Sequence, residues 1–219
     1  MKTYKYITIL ISFLIVYVVP MSAQQDSKAK EYFEKSSKAF TQAGNMSIDF
    51  TINIKDTRNK VTESFDGIIN LKEQKFHLDI PEMETWFDGK TQWVLQKDWG
   101  EVTITQPNES EIQAINPTSI FEVYKSGCNY KYIGEKTNLK GQKVYEVELT
   151  PQSKKSEMTK IIMQINAGDF MPSLLHIVYK NNMENVIHLN KYRKNLKLKD
   201  DLFVFDAKKY SNVEIIDLR

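Results

Sequence analysis

The sequence predicts an α+β protein, mainly β, in which ten or eleven short antiparallel strands curl into a barrel or half-barrel with three helices on one side. Two observations lead to this class. Apolar residues recur with a period of two along most of the chain, as in strands that bury one face. Helical spacing occurs only near the N-terminus and in the middle, and segregated helices and strands are typical of α+β folds.

Residues 1–23 have the pattern of a secretory signal peptide. Lys2 and Lys5 precede an uncharged apolar run from Ile7 to Val19, and the small residue Ala23 offers a cleavage position. The run is shorter than the roughly 20 apolar residues that a membrane-spanning helix needs. We therefore expect an exported protein whose mature part, residues 24–219, is a single domain.

The charge and cysteine content exclude several classes of protein. Removing Lys2 and Lys5 from the 30 basic residues leaves 28 against 28 acidic residues. A balance of this kind argues against a nucleic-acid partner, which requires a basic surface. Cys128 is the only cysteine, so no internal disulfide is possible, and we expect it to be a half-buried filler.

Residues 27–43 are predicted to form an amphipathic helix. Asp26 or Ser27 can cap its start, and Gly44 suits its end. Its apolar face has a spacing of three and four residues and comprises Ala29, Tyr32, Phe33, Ser36 and Phe40.

Short strands follow in the first half of the sheet. Asp88-Gly89 between two aromatic segments is a hairpin signal. The strands are centred on Ile48–Ile54, Phe65–Leu71, Phe76–Ile80, Trp86–Phe87, Trp93–Leu95 and Val102–Ile104.

Two short helices are predicted to interrupt the sheet within residues 109–126. Asn108 can cap the first, with Glu111 in the capping-box position. Asn116-Pro117 begins the second, because proline is favoured in the first turn of a helix.

The period of two returns from Tyr130. The predicted strands are marked by Tyr130/Tyr132, Tyr145/Val147/Leu149, Ile161/Met163/Ile165, Leu175/Ile177/Tyr179, Ile187/Leu189 and Phe203/Phe205, and Val213–Leu218 can add an edge.

The common catalytic and metal-binding patterns are missing from the sequence. His77, His176 and His188 are scattered without metal-ligand spacing, and neither a nucleophile elbow nor a phosphate-binding loop is present. His77 falls on the polar face of its strand, where we expect it to be solvated. We therefore predict a binding protein that is not an enzyme, with no cofactor and no metal site.

Aromatic residues are abundant, with 11 Phe, 11 Tyr and 3 Trp. They can form a well-filled core, or they can line an apolar cavity beneath the helices. Composition alone leaves both interpretations open.

The hairpin Trp86-Phe87-Asp88-Gly89-Lys90-Thr91-Gln92-Trp93, followed by Glu101-Val102-Thr103, resembles the Asp-Gly-Lys-x-x-Trp…Val-Thr hairpin of the periplasmic outer-membrane lipoprotein carrier (LolA-like) family. Further elements occur in the family's order across residues 27–219. They are the leading helix with the Ile48–Ile54 strand, Gly67, Phe76, Asn116-Pro117, Leu149-Thr150-Pro151 and Phe203-Val204-Phe205.

The resemblance implies an unclosed β-barrel with a three-helix lid and an apolar interior for lipoprotein acyl chains. The implied function is a periplasmic carrier that accepts acylated lipoproteins from an inner-membrane ABC-type release complex. It would deliver them to an outer-membrane acceptor or to the membrane itself. A monomer is the expectation. Lys72 occupies the position of a family arginine that helps to hold the lid closed, although lysine lacks the planar head of arginine.

We expect the cavity to be lined by apolar residues near the lid, although a register slip of one residue would exchange the two faces of a strand. The candidates are Ile48, Phe50, Phe65, Phe76, Leu78, Trp86, Trp93, Phe121 and Tyr124.

Two alternatives to the carrier remain open from the sequence. The same half-barrel can serve as a periplasmic sensor that recognises lipoproteins or polypeptide without transporting them. It can also bind a glycolipid or another small apolar ligand.

Overall fold

The computed structural model describes residues 21–108, 111–112, 127–210 and 212–219. One α-helix, α1 (Met21–Gln42), precedes the strands, and a 3-10 turn, Asp200–Phe203, precedes the last strand. The strands are β1 (Met46–Asp56), β2 (Val61–Lys72), β3 (Lys75–Asp79), β4 (Met83–Phe87), β5 (Gln92–Gln96), β6 (Glu101–Thr105), β7 (Cys128–Thr137), β8 (Lys143–Pro151), β9 (Met158–Asn166), β10 (Pro172–Tyr179), β11 (Met183–Arg193) and β12 (Glu214–Asp217).

These strands form one sheet in the order β12-β6-β5-β4-β3-β2-β1-β11-β10-β9-β8-β7. The two antiparallel runs β1–β6 and β7–β11 are joined where β1 pairs with β11. Among the described strands, β12 alone is parallel to its neighbour, β6. Within the described residues the outer strands β12 and β7 do not pair with each other, so the sheet is open. The part of the chain that the structure describes contains twelve strands, which corrects the predicted ten or eleven.

The N-terminal helix has the apolar face that its spacing predicts. Ala29, Phe33 and Ser36 are completely buried, and the helix packs against β7, β8 and β9. The helix begins at Met21 rather than near residue 27. Of the predicted signal peptide, residues 1–20 lie outside the described residues.

The three-helix lid is not seen, because among the described residues α1 is the one complete α-helix, with Glu111 and Ile112 helical besides. The predicted cap at the start of the middle insertion is confirmed. The backbone N–H of Asn108 donates to Glu111 Oε2 at 2.7 Å, and the N–H of Glu111 donates to Asn108 Oδ1 at 3.1 Å. Apart from Glu111 and Ile112, the predicted helices of residues 109–126 lie outside the described residues.

The C-terminal segment differs from its prediction in one part and agrees in another. Phe203 and Phe205 do not form a strand, since Phe203 ends the 3-10 turn and is completely buried. Two aromatic residues separated by one position are compatible both with a strand and with an irregular segment, so the sequence pattern does not distinguish a strand from a loop here. The predicted edge at Val213–Leu218 is confirmed as β12.

The sheet has two faces that differ in character. We call the face that carries α1 the inner face and the opposite one the outer face. On β1 the inner residues are Met46, Ile48, Phe50 and Ile52. In an antiparallel pair, directly opposed residues point to the same face, so the register extends this apolar surface across the neighbouring strands.

Candidate ligand-binding cavity

An apolar cavity of about 210 Å³ lies on the inner face, between the C-terminal half of α1 and the centre of the sheet. All of its lining side chains are apolar, so the cavity offers hydrocarbon contacts and no hydrogen bonds from side chains. They are Phe40, Ile48, Phe50, Ile52, Ile69, Leu71, Leu78, Pro172, Leu175, Ile187 and Leu189.

The strand register explains why these residues meet. On β1, Ile48 and Phe50 alternate with polar residues, and Ile48 opposes Ile69 on β2. The other wall comes from the far end of the chain, because Leu189 on β11 opposes Phe50. Phe40 is the one residue of α1 in the lining, and it covers the side of the cavity that faces the helix.

The structure brings together several of the residues predicted to line the cavity. Ile48, Phe50 and Leu78 lie in its wall. Phe76 is buried in the adjoining cluster, in contact with Phe87. Phe65 lies on the same face, opposite Ile52, and is half-buried.

Two other predicted residues, Trp86 and Trp93, are placed on the outer face, which corrects the expectation for them. Trp86 opposes both Trp93 and His77, and it packs edge-on against Phe205 and Tyr210. On β4 it is Thr85 and Phe87 that face inward, one residue out of phase with the prediction. Phe121 and Tyr124 lie outside the described residues.

The outer tryptophan cluster includes a partly buried polar network. Glu84 accepts hydrogen bonds from the Tyr210 hydroxyl at 2.7 Å and pairs with His77 Nε2 at 2.8 Å. Burial raises the pKa of Glu84, but the hydrogen bonds from His77 and Tyr210 outweigh it and hold that pKa below its ordinary value. His77 is buried and stacks near Trp86, so the expectation that it is solvated was wrong.

Lys72 contacts the C-terminal segment. Its Nζ donates to the carbonyl of Leu198 and to Asp200 Oδ1, both at 3.0 Å, and Lys75 pairs with the same carboxylate at 2.7 Å. These two lysines hold the pKa of Asp200 below its usual value. Within the described residues, the role expected of Lys72 in closing a lid has no contact that supports it.

The connection between β6 and β7 runs from one side of the sheet to the other. β6 ends at Thr105 beside one edge strand, whereas β7 begins at Cys128 as the opposite edge. Ile112, within this connection, packs against the inner cluster that contains Ile48 and Phe50. Ile112 therefore lies on the inner face, on the side of the cavity.

Two buried hydroxyl groups near α1 are unusual. Ser36 Oγ and Tyr132 Oη find no hydrogen-bond partner among the residues that the structure describes. Buried polar groups are normally paired, and leaving one unpaired costs about 1–3 kcal/mol. The contact between α1 and the sheet is therefore weaker than its apolar residues alone would make it.

Sequence reasoning named only three of the eleven residues that line the cavity. It recognised the alternation of Leu175 and of Ile187 with Leu189 as strands, but it did not assign them to the cavity. The missing information is the pairing of β1 with β11, which joins segments from opposite ends of the chain. No local pattern in the sequence specifies such a pairing.

Two larger depressions of about 680 and 600 Å³ lie on the outer face. Amide and charged side chains such as Gln164, Asn190, Asp66 and Lys97 line them. Burying apolar groups against these side chains would leave polar atoms unpaired. The inner cavity is therefore the better candidate for an apolar ligand.

Within the described residues, no three His, Cys, Asp or Glu side chains are grouped as metal ligands. In the same part of the chain, no helix has the length and apolar character needed to span a bilayer.

Solved structures with a similar fold come from several organisms. An uncharacterized conserved protein from Thermus thermophilus has a TM-score of 0.55 and 10% identity, covering 87% of this chain and 99% of that one. A LolA superfamily protein from Nitrosomonas europaea has a TM-score of 0.43 and 12% identity, covering 81% and 97%. LprF from Mycobacterium bovis has a TM-score of 0.49 and 15% identity, covering 79% and 96%. At these identities the likeness concerns the fold alone, and of these three scores only the first exceeds 0.5.

Among curated proteins, no significant match to the chain is found. Residues 19–181 match the sequence family described as outer membrane lipoprotein carrier protein LolA. This match covers most of the chain, including α1 and the strands that carry most of the cavity wall. The chain therefore belongs to the LolA family of outer membrane lipoprotein carrier proteins.

Proposed function

We propose that the mature protein, residues 24–219, is a periplasmic carrier that shelters the acyl chains of lipoproteins and ferries them from the inner to the outer membrane. The observation that supports this most is the inner cavity, whose lining side chains are all apolar and which lies between α1 and an open sheet. Export would depend on the signal peptide of residues 1–23.

The energetics of acyl binding suit such a cavity. Each methylene transferred from water into an apolar site contributes about 0.8 kcal/mol, so a long acyl chain gains on the order of 10 kcal/mol in total. The cavity of about 210 Å³ is smaller than the roughly 300–1,000 Å³ that is usual for ligand sites. It therefore has to widen when cargo enters.

The helix α1, which covers the cavity, is the element whose displacement would widen it. Phe40 reaches the cavity from α1, and the contact of α1 with the sheet includes the unpaired hydroxyl of Ser36. Displacing the helix exposes that hydroxyl to water, which offsets part of the cost of opening. We propose that α1 moves when cargo enters and leaves.

The proposed partners follow from the family. They are acylated lipoproteins as cargo, an inner-membrane ABC-type release complex as donor, and an outer-membrane acceptor or the membrane itself as destination. We propose that the carrier acts as a monomer and without enzymatic activity.

The small volume of the cavity favours a second candidate function. A site of about 210 Å³ is suited to a small lipid or to part of one acyl chain. On this interpretation the protein is a periplasmic sensor or small-lipid-binding module on the same half-barrel, without transport.

A release assay distinguishes the two functions. Spheroplasts that retain a labelled outer-membrane lipoprotein are incubated with the mature protein, and the medium is examined for a soluble one-to-one complex. A carrier produces this complex, and Ile52→Gln abolishes it because Ile52 lines the cavity. Ile68→Gln is the matched control, since Ile68 lies on the next strand and is exposed on the outer face.

Absence of the complex, with retained uptake of a fluorescent fatty acid, would support the small-lipid binder and contradict the carrier. Equal loss of release in both variants would mean that the inner cavity is not the cargo site.

A further inference from the structure

In the wall of the inner cavity, the ring of Phe50 packs over Gly67, a residue without a side chain. Phe50 on β1 lies directly opposite Gly67 on β2. A Cβ atom placed on Gly67 would lie 2.5 Å from Phe50 Cζ and 2.8 Å from Ile80 Cγ2. Both distances are far shorter than any van der Waals contact between carbon atoms. The terminal part of the Phe50 ring therefore occupies the space of the absent side chain.

The glycine is not needed here for its backbone freedom. Positive φ angles occur at Gly44, Gly89 and Gly100, among others, but not at Gly67. Gly67 lies within the regular register of β1 and β2, where any residue can adopt the backbone conformation. Glycine in a strand interior weakens the strand and often marks a close approach of another group. In this strand the approaching group is the Phe50 ring.

The orientation of the Phe50 ring determines how much of the cavity volume is free. Phe50 lies in the cavity wall between Ile48 and Ile52, with Leu189 on its other side. Because its ring is directed towards β2, it leaves the space beside β11 open. A side chain at position 67 would push the ring back towards Leu189, into the volume that remains.

Resting on the proposed function, we infer that Gly67 is the residue that determines how wide an acyl chain the cavity accepts, by holding the Phe50 ring out of the binding space. Ile80 forms the far wall of this niche, so the ring cannot move further outward. The width of the acyl chain that can bind is therefore limited by the free volume beside β11. Cargo selection by chain number or branching then depends on the pair Phe50 and Gly67.

The test measures binding of a long-chain fluorescent fatty acid to the mature protein and to Gly67→Ala. Loss of room for about two methylenes corresponds to roughly tenfold weaker binding. Gly168→Ala is the matched control, because a Cβ atom there meets nothing within 4 Å and its φ angle is ordinary. It should bind the probe as the wild type does.

The double variant Gly67→Ala/Phe50→Leu provides the rescue. A leucine is shorter than the phenylalanine ring and does not reach the niche, so binding should recover most of the tenfold loss. If Gly67→Ala does not fold, Phe50→Leu alone is compared with the wild type, using a straight-chain and a branched fatty acid. The inference requires that Phe50→Leu bind the branched fatty acid severalfold more tightly than the wild type does.

The outcomes separate this inference from the proposed function. Failure of the wild type to bind the probe would contradict the proposed function itself. Binding by the wild type together with unchanged binding by Gly67→Ala would overturn the role of Gly67 and leave the function standing. An unchanged preference of Phe50→Leu for straight over branched chains would also overturn that role.

Discussion

Ser36→Ala removes one oxygen atom from the interface between α1 and the sheet, and we expect it to stabilise the protein. Ser36 is completely buried, and its hydroxyl has no partner among the described residues. Relief of an unpaired buried hydroxyl is worth about 1–3 kcal/mol, and alanine favours a helix over serine by about 0.5 kcal/mol. The free energy of unfolding should rise by about 1.5 kcal/mol or more.

For a domain of this size, 1 kcal/mol corresponds to about 2–4 °C in melting temperature, so Tm should increase by roughly 3–6 °C. Urea unfolding of the mature protein measures the same change directly. Ser37→Ala is the control, since Ser37 lies on the same helix and is only half-buried. Its free energy of unfolding should rise only by the contribution of helix propensity. A lower stability of Ser36→Ala would mean that its hydroxyl has a partner, and the account of a loosely held helix would fail.

Three further predictions concern the outer face and the C-terminal segment. Tyr210→Phe removes the hydrogen bond to Glu84 and should cost about 1 kcal/mol in urea unfolding, with the affinity for a fatty-acid probe unchanged; altered affinity would contradict the assignment of the two faces. Because the pKa of Glu84 in the folded state is held below its ordinary value of 4.5, its contribution to stability is present above that value and is lost as the pH falls through the folded pKa. Unfolding free energies measured between neutral and acidic pH should therefore decrease less steeply for Glu84→Gln, and identical slopes would refute this. Lys72→Ala should accelerate hydrogen exchange at residues 198–200, which Lys72 holds, without changing cargo release; a changed release would restore the role in lid control that the family resemblance implies.

The period-two pattern was sufficient to predict most strands, because each strand buries one face and exposes the other. It was not sufficient to determine the faces themselves. Trp86 and Phe87 are adjacent in sequence and both apolar, so alternation alone does not say which of them points inward. The structure assigns Phe87 to the inner face and Trp86 to the outer one, because the C-terminal segment brings a second apolar cluster to the outer side. A chain with apolar residues on both faces of one strand has no local signal that distinguishes them.

Long-range pairing accounts for the other differences. The wall formed by Ile187 and Leu189 depends on the contact of β11 with β1, and the parallel pairing of β12 with β6 joins two elements that are distant in sequence. The cap formed by Asn108 and Glu111 was predicted correctly because all of its atoms lie within one helical turn. What could be predicted was therefore local, and what could not be predicted depended on which distant strands meet.

The central claim is that acyl chains bind to the inner face beneath α1. The most direct measurement is photocrosslinking of the mature protein with a fatty acid that carries a photoreactive group near its methyl end, followed by mass spectrometry of the adducts. The account predicts adducts on inner residues such as Ile52, Leu175 and Leu189, which line the cavity. Adducts confined to the outer face, around Gln164 and Asn190 or around Trp86 and Trp93, would contradict it.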